Sequence, residues 1–255
     1  MDLFSFAPIA ALLTLASALV EGLSTLFTPF LGVASAAVAI ITLTIVVRTL
    51  LIPVGISQVK AEGTRRRLAP RLQALQHRYK KNPPLLQKKT LELYREEKTS
   101  PFSGMLPTLA QVPVISVVYA LFVHTTVNGH ANALLTDHLF GIPLGQSFVH
   151  LIMIGATWPA AAVFGVLLGI IATVAWMTRR TALRLTVPIP DATPAAASRL
   201  RLLSWLPFIT VVFAATVPLA ATLYLVTTTS WTLGERMLLR RRYWSEAGSV
   251  TPPSR

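Results

Sequence analysis

The sequence predicts an all-α polytopic membrane protein with five transmembrane helices, an N-terminal interfacial helix and a cytoplasmic helical hairpin. Three observations carry that reading. Hydrophobic residues make up 53% of the 255 positions and fall in long runs bounded by basic segments, the pattern of repeated bilayer crossings. The net charge of +13 comes from 23 Lys and Arg against 10 Asp and Glu, but the cations cluster beside the apolar runs, so they read as topology and not as a nucleic-acid footprint. One apolar run, Val33 to Ile56, holds a single charge, Arg48.

The elements follow in order. Leu3 to Leu31 is mostly apolar, with Asp2 before it, Glu21 inside it and breaks at Pro8, Pro29 and Gly32. We read residues 1–32 as a helix lying in the membrane interface, with a true span as the alternative. Lacking a basic stretch ahead of its apolar run, this segment does not have the pattern of a cleavable signal peptide. The first span is assigned to 33–56. From 57 to 100 the hydropathy collapses and twelve of the 23 cations appear, with Lys81-Asn82-Pro83-Pro84 as a turn signal. That segment reads as a helical hairpin outside the bilayer, its arms striped by Leu68, Leu72 and Leu75 and by Leu86, Leu91 and Tyr94.

The second span is placed at 105–127, and the segment 128–157 that follows has no Lys or Arg. The third span is 158–177, and a connector at 178–201 bears Arg179, Arg180, Arg184, Arg199 and Arg201. The fourth span is 202–217; Pro218 turns the chain into the fifth, 219–239, and a basic tail, 240–255, closes the sequence. Cationic loops stay on the cytoplasmic side. One orientation satisfies every connection: N-terminus outside, the 128–157 loop outside, C-terminus in the cytoplasm.

Arg48 carries the functional argument. A guanidinium does not lose its proton, and its cost near the middle of a span is about 2.5–3.5 kcal/mol, so its presence implies a wet, protein-lined cavity. The alternative is snorkelling to the cytoplasmic boundary, about 12 Å away at 1.5 Å per residue. Counted from the cytoplasmic ends, Arg48, Gln111 of the second span and Ser230 of the fifth lie at about 9–13 Å depth, in one layer of the inner leaflet. Thr44 sits one turn from Arg48, and Thr227 one turn from Ser230. The only acid in a span is Glu235, so the predicted cluster of Arg48, Thr44, Gln111, Thr227 and Ser230 is a hydrated cationic groove whose counter-ion arrives with something else. The same polar residues would also suit ordinary hydrogen bonding between helices.

Catalytic chemistry finds no support in the sequence. It has no cysteine, no Gly-rich phosphate loop, no paired carboxylates and no Ser/His/Asp arrangement, so neither an enzyme nor a cofactor is expected. His124, His130, His138 and His150 are irregularly spaced around the outer loop and read as solvated side chains, not as metal ligands.

The run Arg48-Thr-Leu-Leu-Ile-Pro53, the basic hairpin, the sequence Pro101-Phe-Ser-Gly-Met-Leu-Pro107-Thr-Leu-Ala-Gln111-Val-Pro113, and Pro218 followed by Leu223-Tyr224 together resemble the YidC insertase family with its mitochondrial and chloroplast relatives. The resemblance extends from about Gly32 to Arg242. Leu225, Met177-Thr178-Arg179 and Val217-Pro218-Leu219 depart from the family pattern. The resemblance implies a bacterial plasma-membrane insertase and chaperone with an inward-open groove, in which Arg48 matches the groove arginine and Gln111 the polar residue of the second span. It implies nascent membrane-protein clients, the bilayer, and the ribosome, targeting machinery and Sec translocon as partners. Arg65, Arg66, Arg67, Lys80, Lys81, Arg240, Arg241 and Arg242 would then recruit those partners; the simpler reading is that they fix orientation and touch anionic lipid. A small-anion transporter or channel built on Arg48, or a family member that only scaffolds assembly, are the alternatives. The five predicted spans do not divide into two matching halves, as transporter repeats usually do.

Overall fold

The computed structural model describes residues 7–100, 109, 116–117, 120–123, 126–127, 130–155, 158–185, 198 and 201–245. Among these, helices dominate: α1 (Ala7–Leu31), α2 (Ser35–Leu50), α3 (Ile52–Arg78), α4 (Pro83–Glu96), α5 (Phe148–Met153), α6 (Trp158–Leu185), α7 (Ile209–Thr216) and α8 (Leu219–Ser245). Two stretches of described residues are long and apolar enough to cross a membrane: Ala11–Leu50, which takes in α1 and α2, and Trp158–Leu185. Arg201–Thr216 is apolar but shorter.

The sequence separates 1–32 from the first span, whereas the structure packs α1 on α2. Gly32, at a φ of +51°, reverses the chain, and Ser24 Oγ comes within 3.2 Å of Ser35 Oγ across the turn. Leu13 and Val20 of α1 are buried in the same cluster as Ala36, Ala39 and Ile40 of α2. Small residues on α2 let the two helices approach closely, which is the usual device where hydrocarbon offers no drive to associate.

The predicted first span does not run unbroken to Ile56. α2 ends at Leu50, and α3 begins at Ile52 with Pro53 in its first turn. A proline has no N–H to give and its ring fixes φ, so it opens a helix more readily than it continues one. The hairpin forms where Asn82-Pro83-Pro84 announces it: Asn82 Oδ1 accepts the Leu85 N–H at 3.2 Å and caps α4. Its contact stripe differs from the sequence reading. Leu68 is buried as expected, but in α4 it is Leu93 that is buried while Leu91 is exposed. Arg67 and Arg71 of α3 both reach Glu97 just beyond α4, at 2.7 Å each, and hold the arms together.

α8 is the central element, packing against α2, α3, α6 and α7. Its N-terminal end is held by the loop before α5. Two short antiparallel hairpins, Thr126–Val127 with His130–Ala131 and His138–Leu139 with Ile142–Pro143, shape that loop, the second turning at Phe140-Gly141, both with positive φ. Leu134, Leu135, Leu139, Ile142, Leu144 and Leu151 are buried there. The Leu219 N–H donates to the Gln146 carbonyl at 2.8 Å and the Ala220 N–H to the Leu144 carbonyl at 3.0 Å. The first N–H groups of a helix have no partner within it, and here the loop supplies one for each of these two. Thr222 adds a bond from its hydroxyl to the Ala214 carbonyl at 2.9 Å, fastening α7 to α8 across the Pro218 turn.

Both α6 and α8 run past the predicted ends of their spans. α6 continues through Arg179, Arg180 and Arg184 to Leu185, and α8 carries Arg240, Arg241 and Arg242 as helical residues to Ser245. The predicted tail therefore begins as helix.

Candidate functional site

Arg48 stands in the last turn of α2, where the negative end of the helix dipole favours a cation. Its Nε–H donates to Thr228 Oγ1 at 2.6 Å, across to α8. Arg48 and Thr228 both line a cavity of about 540 Å³ between α6 and α8. Ile171, Val174 and Leu233 give it apolar surface, and Thr178 and Thr181 of α6 with Thr228, Thr229 and Thr232 of α8 give it hydroxyls. Arg236 and Arg240 stand along the α8 side, and Glu62 of α3 contributes a carboxylate. Such a space can hold water and anionic or hydroxyl-bearing groups against an apolar flank.

The predicted cluster is brought together only in part. Arg48 is half-buried at the cavity, as its placement in the sequence suggests. Thr44 is buried and its hydroxyl donates to its own helix, to the Ile40 carbonyl at 2.7 Å. Thr227 likewise donates to the Leu223 carbonyl at 2.8 Å. Neither these threonines nor Ser230 is among the residues lining the cavity. Gln111 lies outside the described residues. Depth along the bilayer puts the right helices at the same level, but it does not give the angle around the helix axis. Thr227-Thr228-Thr229-Ser230 steps by about 100° per residue, so the four hydroxyls point all around α8, and only packing selects Thr228 and Thr229.

The predicted absence of a counter-ion is also modified. Glu62 lines the cavity and accepts from Arg240 at 2.7 and 3.1 Å. Glu235 lies within electrostatic reach of Arg48 and packs against Gly55 of α3, where a side chain would collide with its carboxylate. Sequence reasoning missed Glu62 because it falls in the hydrophilic hairpin. The available signal was helical phase: Gly55 and Glu62 are two turns apart and share a face.

The eight cations assigned to recruitment divide by environment. Arg66 Nε donates to the Leu185 carbonyl at the end of α6, at 3.1 Å, and its guanidinium stands 5.1 Å from the Trp244 ring. Arg240, whose side chain is only 17% exposed, pairs with Glu62 and lies 5.3 Å from the same ring. Arg67 pairs with Glu97 yet stays 65% exposed. Arg65, Lys80, Lys81, Arg241 and Arg242 are exposed. The basic set thus includes members that brace α3 against the end of α6 and against α8.

Residues 26–246 match the family described as 60Kd inner membrane protein. A protein named membrane protein insertase YidC from Streptomyces avermitilis is 27% identical over 217 residues, covering 80% of this chain and 50% of the relative. One of the same name from Zymomonas mobilis is 29% identical over 217 residues, covering 84% of this chain and 36% of the relative. A third, from Clostridium perfringens, is 35% identical over 89 residues, which is 35% of this chain and 37% of the relative. The chain therefore spans between about a third and a half of the length of these relatives.

Proposed function

Because the chain belongs to the 60Kd inner membrane protein family, whose matched relatives carry the name membrane protein insertase YidC, we propose that it is a membrane protein insertase and chaperone of the bacterial plasma membrane. The observation that best supports this reading is the Arg48–Thr228 pair at a cavity of mixed hydroxyl and apolar lining between α6 and α8. A client's short polar or acidic tail would enter from the cytoplasm and be solvated beside Arg48, so that it crosses less hydrocarbon. Its apolar helix would leave sideways along α6 and α8, driven by its own transfer free energy. No nucleotide is required by this path.

In this reading five spans cross the bilayer, the 128–157 loop lies outside, and the hairpin, the connector and the end of α8 face the cytoplasm. The exposed cations of the hairpin would meet ribosomes, targeting machinery or a Sec translocon. Restoring growth and client insertion to a bacterial strain depleted of its own insertase tests the proposal. A well-expressed, correctly localised protein that restores neither would overturn it.

A further inference from the structure

We propose that the cavity between α3 and the last turn of α8 binds the headgroup phosphate of an anionic phospholipid of the inner leaflet. The cavity holds about 580 Å³ and is lined by Lys60, Thr64, Arg66 and Arg67 from α3 and by Tyr243 and Trp244 from α8. Lys60, Thr64 and Arg67 recur at helical spacing on one face of α3; the Lys60 ammonium lines the space, while the Thr64 hydroxyl beside it donates to the Lys60 carbonyl at 3.2 Å and Arg67 is paired with Glu97 at 2.7 Å. No carboxylate is among its lining residues.

The aromatic wall is set in advance of any ligand. The Trp244 indole N–H donates to the Val59 carbonyl at 3.3 Å, and the ring lies on Gly63, where a Cβ would come within 2.8 Å of Nε1. Arg66 and Arg240 flank the ring at 5.1 and 5.3 Å, and Lys60 Nζ stands 4.8 Å from the Tyr243 ring. Cations held against aromatic faces are kept close without being neutralised by the ring; Arg240 is paired with Glu62 at 2.7 Å, so Lys60 and Arg66 carry the charge at the cavity.

Position chooses lipid over a soluble anion. Tyr243 and Trp244 follow the Arg240-Arg241-Arg242 triplet at the end of α8, and basic and amphipathic aromatic side chains together mark the headgroup level. A lipid can place its phosphate beside Lys60 and Arg66 and lay its first acyl carbons over the two rings. The site rests on the proposed orientation, which puts this end of α8 in the cytoplasm. It does not depend on client insertion.

The test is native mass spectrometry of the full chain in detergent, titrated with phosphatidylglycerol or phosphatidylcholine. The parent should retain one phosphatidylglycerol at concentrations about tenfold below those needed for phosphatidylcholine. Lys60→Gln with Thr64→Val should abolish that preference, and Lys60→Arg should keep it. Glycerol 3-phosphate should fail to displace the lipid. Equal retention of phosphatidylglycerol by the parent and a folded Lys60→Gln/Thr64→Val variant overturns the site, as does displacement by glycerol 3-phosphate at matched concentration. Because the readout is lipid retention, a protein that fails to insert clients but keeps the preference refutes the insertase role alone.

Discussion

Arg48 donates its Nε–H to the hydroxyl of Thr228, a residue 180 positions away in the sequence, and so joins the end of α2 to the middle of α8. A charge-assisted bond of this kind is worth about 1.5–3 kcal/mol. It also orients the guanidinium toward the cavity.

Arg48→Ala should therefore abolish insertion of clients with acidic tails while folded protein still accumulates, and Arg48→Lys should keep much of the activity. Thr228→Val should slow insertion by removing the orienting bond, whereas Thr227→Val should not, because the Thr227 hydroxyl is already bound to its own helix. Client protection assays on proteoliposomes of the four variants decide the matter. Equal rates for parent and Arg48→Ala would remove Arg48 from the mechanism.

Orientation is open to direct labelling. Cysteines placed at Gly129 or Gly145 should react with a membrane-impermeant reagent on intact cells, and cysteines at Gln76 or Ala195 only after lysis. The reverse pattern would turn the cavity's mouth to the outside.

The basic residues should separate into two groups by their effects. Arg66→Gln loses a bond to the Leu185 carbonyl and a stacking partner at Trp244, and should cost about 1–3 kcal/mol of stability. Lys80→Gln and Lys81→Gln sit in the exposed turn and should stay within about 0.5 kcal/mol of the parent. Neutralising Arg65, Arg66 and Arg67 together should weaken salt-sensitive binding to ribosomes or anionic vesicles. Thermal melts of the single variants beside co-sedimentation of the triple one distinguish bracing from recruitment.

Gly63→Ala should push Trp244 off α3, because its new methyl would lie 2.8 Å from the indole nitrogen. Overpacking of this sort costs about 1–3 kcal/mol. A lower melting temperature and a red-shifted tryptophan emission are expected; an unchanged melt would mean that the α3–α8 contact yields without strain.

Asp137 in the loop before α5 has its carboxyl pKa pushed up by partial burial, against the opposing pull of His138. A carboxyl whose pKa is higher in the fold than unfolded binds its proton more tightly there, so this contribution to stability is complete below about pH 4 and is lost as pH rises through the raised value. Asp137→Asn should protect the Leu144 amide, which donates to the Asp137 carbonyl, more than the parent does at pH 7 and about equally at pH 4. Hydrogen exchange at the two pH values measures this.

The helices and the hairpin turn could be read from the sequence because each rests on a local signal: apolar length and Asn82-Pro83-Pro84. What the sequence hides is azimuth. Thr228 differs from Thr227 only in which way it faces, and Leu93 from Leu91 only in which side of α4 meets α3. The roles of Glu62 and Arg66 escape for a related reason: in a hydrophilic segment every charge looks solvated until a partner from a distant helix is found. Sequence reading also took the first span as one element, although Pro53 marks where α3 starts afresh.

The unequal fastening of α8 has a mechanical consequence. Its N-terminal end hangs from main-chain bonds to Gln146 and Leu144, which no side-chain rotation can release, while its far end is held by an ion pair and an indole that can let go one at a time. A helix of 27 residues is a lever about 40 Å long, so a tilt of about 5° around that fixed pivot sweeps its free end by about 3 Å. A motion of this form would widen the cavity at the end that carries Arg236 and Arg240 while the end bonded to Gln146 and Leu144 stays closed.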